Sequence, residues 1–402
     1  MSYPTLDTAD LQGKKVLLRA GFDVPIVDGV VHDATRIEAN LPTMRFILDA
    51  GASLIIMAHQ GRPKGEPDPQ FSQKPLVPVL EKLLGVSVQF AEVCDGQDAQ
   101  TKAAALQPGG VLLLENLRFD EGEKSKNSIL RDAFGKRLAA LADVYVNDAF
   151  TNCHRDHASM TSVPKFMKEK YMGFTVQTEV EGLSKAVHNP TRPLTLIISG
   201  LKMETKVPVI EQFLAQGDDI LVGGGVANTM LCAAGKEMAK SKVDDEFVQK
   251  GKEILDESAS CDSATIHLPV DGVCATSPDA EVQECAIGMF SPDMIMFDIG
   301  PETIEQFTRV IAASKTVVWN GPMGMYEHEK FAKGSKAIAE AVRSATTRGA
   351  VTIIGGGDTL DFHDTYGYDL DGYTFVSTAG GAMLDFISGK ELPALKALAL
   401  NS

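Results

Sequence analysis

Along this chain, short runs of apolar, β-favouring residues recur, and most are followed by a stretch with helical periodicity. In the first half the runs are KKVLLRA, ASLIIMAH, VSVQF, GVLLLENL and DVYVNDAF. Helical patterns follow at 35–50 and 76–84, and another lies near 128–142. Runs such as Leu54, Ile55, Ile56 and Met57 are apolar at every position, not at alternate ones. A strand of that kind is buried on both faces, which requires a parallel sheet covered by helices. The pattern lapses between Thr151 and Pro193, where a His- and Arg-rich loop leads into VPKFMKEKYMGF and a predicted helix over 176–187. It then resumes with PLTLIISG, DDILVGGG, ATIHLP, MIMFDIG, KTVVWNGP, AVTIIGGG and YTFVSTAGG, with helices such as 206–216 and 331–348 between them. The expected fold is α/β, with two doubly wound, Rossmann-like parallel-sheet domains joined by a hinge helix. The expected boundaries are 1–172 for the first domain, 173–188 for the hinge and 189–389 for the second, with the tail from about 390 to 402 packing back on the first.

The chain has 402 residues, which suits two domains better than one. Its net charge of -16 disfavours nucleic acid and anionic membranes as partners, because both demand a basic surface. Residues 1–175 carry 20 basic and 22 acidic side chains, so most of the negative charge lies in the remainder. The cysteines Cys94, Cys153, Cys232, Cys261, Cys274 and Cys285 form no C-x-x-C pair, which points to reduced thiols and a cytoplasmic protein.

In the second half, strand after strand ends in glycine: Gly200, Gly223 to Gly225, Gly300, Gly321, Gly355 to Gly357, and Gly380 with Gly381. Ligands of parallel α/β sheets bind beyond the carboxyl ends of strands, where glycine permits close approach and helix N-termini offer free N–H groups to phosphate. Any one such glycine can equally serve only to turn the chain. The P-loop pattern G-x-x-x-x-G-K-[ST] is absent, and no G-x-G-x-x-G follows the first strand of either half. Asp358, beside Thr359, is read either as a helix cap or as an oxygen ligand for nucleotide-bound Mg2+.

The first half places cations at the equivalent strand ends: Arg19, Arg36, His59, Arg62, Arg118, then His154, Arg155 and His157. Five of the eight arginines in residues 1–175 fall there, a gathering that suits bidentate recognition of an anion. His154 and His157 lack the carboxylate or thiol spacing that would complete a metal site. The halves thus read as an anionic-substrate domain and a nucleotide domain facing across a hinge, the organisation of a phosphoryl-transfer enzyme.

The ordered motifs LLRAGFDVP, HDATRI, AHQGRPKG, LLLENLRF, DVYVNDAF, VVWNGPMG, IIGGGDT and STAGGA resemble the phosphoglycerate kinase family over essentially the whole chain. That resemblance implies a cytoplasmic, monomeric, glycolytic enzyme that moves the γ-phosphate of ATP, with Mg2+, to the carboxylate of 3-phosphoglycerate. It implies acid-binding roles for Arg19, Gly21, Phe22, Asp23, Arg36, His59, Gln60, Gly61, Arg62, Arg118 and Arg155. Lys202, Lys206, Gly224, Asn320, Pro322, Glu327, Gly356, Gly357, Asp358 and Thr359 would bind the nucleotide, with Asn320 and Pro322 at the adenosine, Glu327 at the ribose, Gly356, Gly357, Asp358 and Thr359 at the phosphates, and Asp358 at the metal. Arg36, Lys202, Gly380 and Gly381 would act on the group in flight.

The chain departs from the family pattern at Gly21 and Asp23, where Asp-Phe-Asn is usual, and at Gln60, Thr151 to Cys153, Ser199, Leu201, Thr205 and Ala379. Gly21 removes a carboxylate, and Asp23, two residues along the same extended segment, is expected to replace it. Two other readings compete. One is a catalytically weakened nucleotide- or anion-binding homologue; the other is an NAD-dependent oxidoreductase, which has no use for the arginines.

Overall fold

The computed structural model describes residues 3–64, 67–259 and 263–399, so Cys261 lies outside the described residues. The chain divides into two compact units, one of residues 1–180 with 391–402, the other of residues 181–390. The division falls inside the helix Phe174–Val187.

The first unit is built on six parallel strands. In sheet order they are Val88–Ala91, Val111–Leu114, Ser53–Met57, Lys15–Ala20, Val144–Asp148 and Glu169–Met172. The inner strands are buried along almost their whole length, as their unbroken apolar sequence requires. The edge strand Glu169–Met172 lies where sequence reasoning saw a lapse in the pattern, since Glu169 and Lys170 disguise it. The helix expected over 35–50 is two helices, Thr35–Ala39 and Leu41–Asp49. Pro42 has no N–H with which to continue the first, and the junction residue Asn40 is freed to point its side chain inward.

The second unit carries six parallel strands in the sheet order Thr265–His267, Asp219–Val222, Leu194–Ile198, Thr316–Asn320, Val351–Gly355 and Phe375–Ser377. Numbered along the chain, that order is 3-2-1-4-5-6, which places the reversal of strand order between Leu194–Ile198 and Thr316–Asn320. Ligands of such sheets bind at this reversal, beyond the carboxyl ends.

One expected element is corrected. MIMFDIG does not join the parallel sheet: Ile295–Ile299 pairs antiparallel with Asp271–Ala275, which in turn pairs with Gln283–Ala286 in a separate sheet. Gly300 accordingly does not belong to the ligand-facing turns. The Asp271 carboxylate accepts from the N–H groups of Glu302 and Thr303 at 2.9 and 2.8 Å, closing the N-terminus of the helix Pro301–Ala313. A Cβ on Gly300 would lie 2.3 Å from that carboxylate, so this glycine serves packing.

Candidate active site

In the first unit, the segments leaving four adjacent strands form one polar floor. Asn116, fully buried after Val111–Leu114, organises it: its amide oxygen accepts from the N–H groups of Gln60 and Arg118 at 3.2 and 3.0 Å. Its NH2 donates to the carbonyls of Gln60 and Phe71 at 2.8 and 2.9 Å. Asn40 performs the same service next door, accepting from Gly21 N–H at 2.9 Å and donating to the Asp148 carbonyl at 3.2 Å. Gly61 turns with φ +58°, and a Cβ there would sit 2.3 Å from the Phe71 ring, so both conformation and space demand glycine. Its N–H donates to Asp23 Oδ1 at 2.8 Å and its carbonyl accepts from Arg118.

Arg19 is fully buried beneath this floor. It donates to Ser159 Oγ at 3.0 Å, to the Ala20 carbonyl and to His59 Nδ1 at 3.0 Å. Ser159 in turn donates twice to the buried carboxylate of Glu123, at 2.9 Å from its N–H and 2.7 Å from its hydroxyl. With Nδ1 accepting from Arg19, the proton of His59 sits on Nε2, which lies 3.6 Å from Asp23 Oδ2. Burial, with Arg19 and Arg118 close by, pushes His59 down to about 4, against the pull of Asp23. His157 is pushed down to about 3 by burial and then by Arg19, Arg118 and Arg155. Arg118 is lowered to about 10 by burial and the neighbouring Arg155 and Arg19. Asp23 is held well below the usual carboxylate range, since its contacts with His59 and Gly61 outweigh its burial.

The buried Nε–H groups of Arg118 and Arg155 have no acceptor among the described residues. Arg36 is exposed and donates to the Asp23 carbonyl. Arg62 is exposed and forms no hydrogen bond or ion pair among the described residues.

The structure thus brings Asp23, Arg36, His59, Arg118 and Arg155 together and corrects three other expected contacts. Arg19 exposes no surface to a ligand because three acceptors beneath the floor use its guanidinium. Phe22 is buried in the apolar core, its side chain taking the inward face of the segment. Gln60 clamps the backbone of Val24, donating to its carbonyl and accepting from its N–H at 3.3 Å. All three position the floor.

In the second unit, the strand-order reversal opens into a cavity of about 710 Å3 lined by Gly200, Lys202, Lys206, Asn320, Gly321, Gly356, Gly357, Asp358, Thr359, Gly380 and Gly381. A second cavity, of about 440 Å3, shares Gly200, Leu201 and Asp358 with it and is lined by Gly224, Gly225, Pro322, Met323, Met325 and Glu327 among others. Gly356 takes φ +104°, and a Cβ there would meet Asn320 Nδ2 at 2.4 Å. The helix that follows, Gly357–Thr365, has no side-chain cap, which leaves its first N–H groups beside Asp358 in the cavity wall. Gly380, with φ +52°, has open space where its Cβ would lie.

Two expectations shift here. Asn320, expected in the adenosine pocket, lies instead in the larger cavity, accepting from Lys206 Nζ and donating to the Gly355 carbonyl at 2.7 Å. Thr359, expected to touch phosphate, spends its hydroxyl inside the protein, accepting from Gly321 N–H at 2.8 Å and donating to the Gly355 carbonyl at 3.1 Å. Burial lowers Lys206 to about 8, opposed by Asp358. Sequence reasoning missed Asn40, Asn116, Glu123 and Ser159; the one signal available was a run of polar residues at strand ends.

An arginine-lined anion floor in one α/β unit, and in the other a glycine-walled cavity at a strand-order reversal with lysines and a carboxylate, define the phosphotransferase class. The family model of phosphoglycerate kinase matches residues 6–390. A phosphoglycerate kinase of Maridesulfovibrio salexigens is 42% identical over 397 residues, covering 99% of each chain. The cytosolic phosphoglycerate kinase of Triticum aestivum is 42% identical over 400 residues, covering 99% of this chain and 98% of that one. The structure is similar to phosphoglycerate kinase from Coxiella burnetii, with a TM-score of 0.89 at 35% identity and 99% of both chains covered. It is also similar to the enzyme from Pyrococcus horikoshii, with a TM-score of 0.82 at 32% identity and 98% of both covered. The chain belongs to the phosphoglycerate kinase family, and nothing in these matches supports the weakened-homologue reading.

Proposed function

We infer that this chain catalyses reversible transfer of the γ-phosphate of ATP to the carboxylate of 3-phosphoglycerate, giving ADP and 1,3-bisphosphoglycerate. The observation that carries the reading is the proximity of Arg118 and Arg155, each with a buried Nε–H that lacks an acceptor among the described residues, in a protein of net charge -16. Such donors are costly to bury unless an anionic ligand takes them. In this reading Arg118, Arg155, Arg62 and His59 bind the phosphate and glycerate of the acid. His59, neutral and protonated on Nε2, acts as a hydrogen-bond donor. Asp23 orders the Gly61 turn and takes the substrate hydroxyl in place of the carboxylate that Gly21 lacks.

The acid's carboxylate is already ionised at neutral pH, so no general base is needed, and catalysis reduces to in-line positioning and charge neutralisation. Arg36 and Lys202, both exposed, are the cations assigned to the group in flight. Lys206, oriented by Asn320, holds the nucleotide phosphates with the first N–H groups of Gly357–Thr365, and Gly380 and Gly381 complete that wall. Pro322 and Glu327 line the nucleoside end with Gly224.

Among the described residues no three His, Cys, Asp or Glu side chains are grouped to cage a metal. A Mg2+ carried by the nucleotide needs one carboxylate besides the phosphates, and Asp358 fits that need. When bound, the ion neutralises phosphate charge. Direct transfer also requires the acid and the nucleotide to meet, so in this proposal residues 173–188 act as the hinge.

A coupled assay of ADP formation from Mg-ATP and 3-phosphoglycerate tests the reading. Acid-dependent turnover that Arg36→Ala lowers on the order of 10²–10³-fold supports it; a rate no higher than that variant's overturns it.

A further inference from the structure

The antiparallel sheet of the second unit gathers sulfur on one face. Its strands Asp271–Ala275, Gln283–Ala286 and Ile295–Ile299 set Gly272 opposite Cys285 on one side and Cys274 opposite Met296 on the other. Gly272 and Cys274 are two residues apart and share a face, so Cys285 lies diagonal to Cys274 on that face. A register shift between Val273 and Cys274 is what brings Met296 to Cys274; unshifted pairing would place Phe297 there. Cys274 and Met296 are buried in one apolar cluster, and half-buried Cys285 packs against it. A Cβ on Gly272 would lie 2.8 Å from Met296 Sδ, so the thioether fills the space over the residue that faces Cys285. Burial, and then the neighbouring Cys285 thiol, push the Cys274 thiol up to about 12. Both thiols are free.

Two thiols and a thioether converging in an apolar setting form a soft donor set. A Zn2+ ion takes four nitrogen, oxygen or thiolate ligands, and among the described residues no third His, Cys, Asp or Glu is grouped with the pair. Cu(I) is satisfied by three ligands and accepts a thioether among them. We propose that Cys274, Cys285 and Met296 form a Cu(I) site of two thiolates and one thioether. Binding makes two copper–thiolate bonds and one copper–thioether bond, releases the two thiol protons to solvent and leaves the oxidation state of copper unchanged. The ion enters from the side of Cys285, the one ligand that is not buried. Met296 also borders the smaller cavity, yet occupancy of the copper site does not depend on the kinase reading.

The test is anaerobic titration of the full chain, reduced and freed of metal, with Cu(I) in competition with the chromophoric chelator bicinchoninate. The parent withholds one Cu(I) per chain from the chelator. Cys285→Ser, at a half-buried position that spares the core, lowers the affinity at least about 100-fold. Met296→Leu conserves volume and both thiolates and binds about 10–100-fold more weakly, because losing a direct ligand costs at least as much as losing an outer partner. X-ray absorption at the copper edge counts three sulfur neighbours in the parent and two in Met296→Leu. Cys232→Ser, which alters a cysteine that packs on the same cluster from outside this sheet, keeps the parent affinity. Retention undiminished in Cys285→Ser, or lost equally in Cys232→Ser, means that other thiols hold copper adventitiously and overturns the proposal. A parent that yields its copper to bicinchoninate, or that matches Met296→Leu in affinity and sulfur count, overturns it as well.

Discussion

Lys206 offers a quantitative handle on the nucleotide site, because burial sets its pKa at about 8, within reach of ordinary buffers. Bound phosphate favours the charged form, so its pKa rises on nucleotide binding and affinity must fall as pH climbs through the free-protein value. The charged fraction drops from roughly nine-tenths at pH 7 to roughly one-tenth at pH 9, which weakens nucleotide binding about tenfold, or about 1.4 kcal/mol. The single tryptophan, Trp319, is buried next to Asn320 and donates to the Gly321 carbonyl at 2.8 Å, so its fluorescence reports on this cavity. Titrations with Mg-ADP across that pH range, in the parent and in Lys206→Arg, isolate the effect. The arginine keeps its charge and carries the correction for the nucleotide's own ionisation. A flat affinity in the parent, or an equal fall in the arginine variant, would refute the assignment of Lys206 to the phosphates.

Other outcomes follow from the anion floor. Arg36→Ala lowers kcat on the order of 10²–10³-fold while the fluorescence titration shows little change in nucleotide affinity, because its charge is used mainly in the transition state. Asp23→Ala raises KM for 3-phosphoglycerate, since the Gly61 turn loses its anchor; an unchanged KM contradicts that role. Gly61→Ala costs about 2–3 kcal/mol, from a positive φ and a Cβ driven into the Phe71 ring, and shifts the denaturant midpoint to match. His59 and His157, at about 4 and about 3 in the free protein, titrate at higher pH once 3-phosphoglycerate is bound, because an added anion offsets the arginines that depress them. Histidine NMR resonances with unmoved midpoints would show that the acid binds elsewhere.

The parallel sheets were legible in the sequence because strands such as Ser53–Met57 are apolar at every position, a pattern that only two covered faces produce. The antiparallel sheet was not, because Ile295–Ile299 is apolar apart from Asp298 and resembles the neighbouring strands, so that only its pairing with Asp271–Ala275 distinguishes it. Residue type and strand-end position picked out Arg118, Arg155 and Lys206, which the structure gathers at the polar floor of one unit and in the glycine-walled cavity of the other. The same reasoning failed for Arg19 and Phe22, since type and position along a segment do not reveal which face a side chain takes. Asn40 and Asn116 escaped notice because most of their hydrogen bonds reach segments 19 to 135 residues away in sequence, visible only once the sheet is assembled. Asn320 was assigned to the adenosine, whereas its side chain lines the larger cavity, for the same reason: its partner Lys206 is 114 residues away in sequence.

The central claim, transfer of phosphate to a carboxylate without a general base, is tested most directly by 31P NMR of the protein with Mg-ATP and 3-phosphoglycerate. The account predicts an acyl-phosphate resonance growing in step with ADP, and growing on the order of 10²–10³-fold more slowly in Arg36→Ala. ADP accompanied only by inorganic phosphate, in amounts independent of the acid, would contradict it.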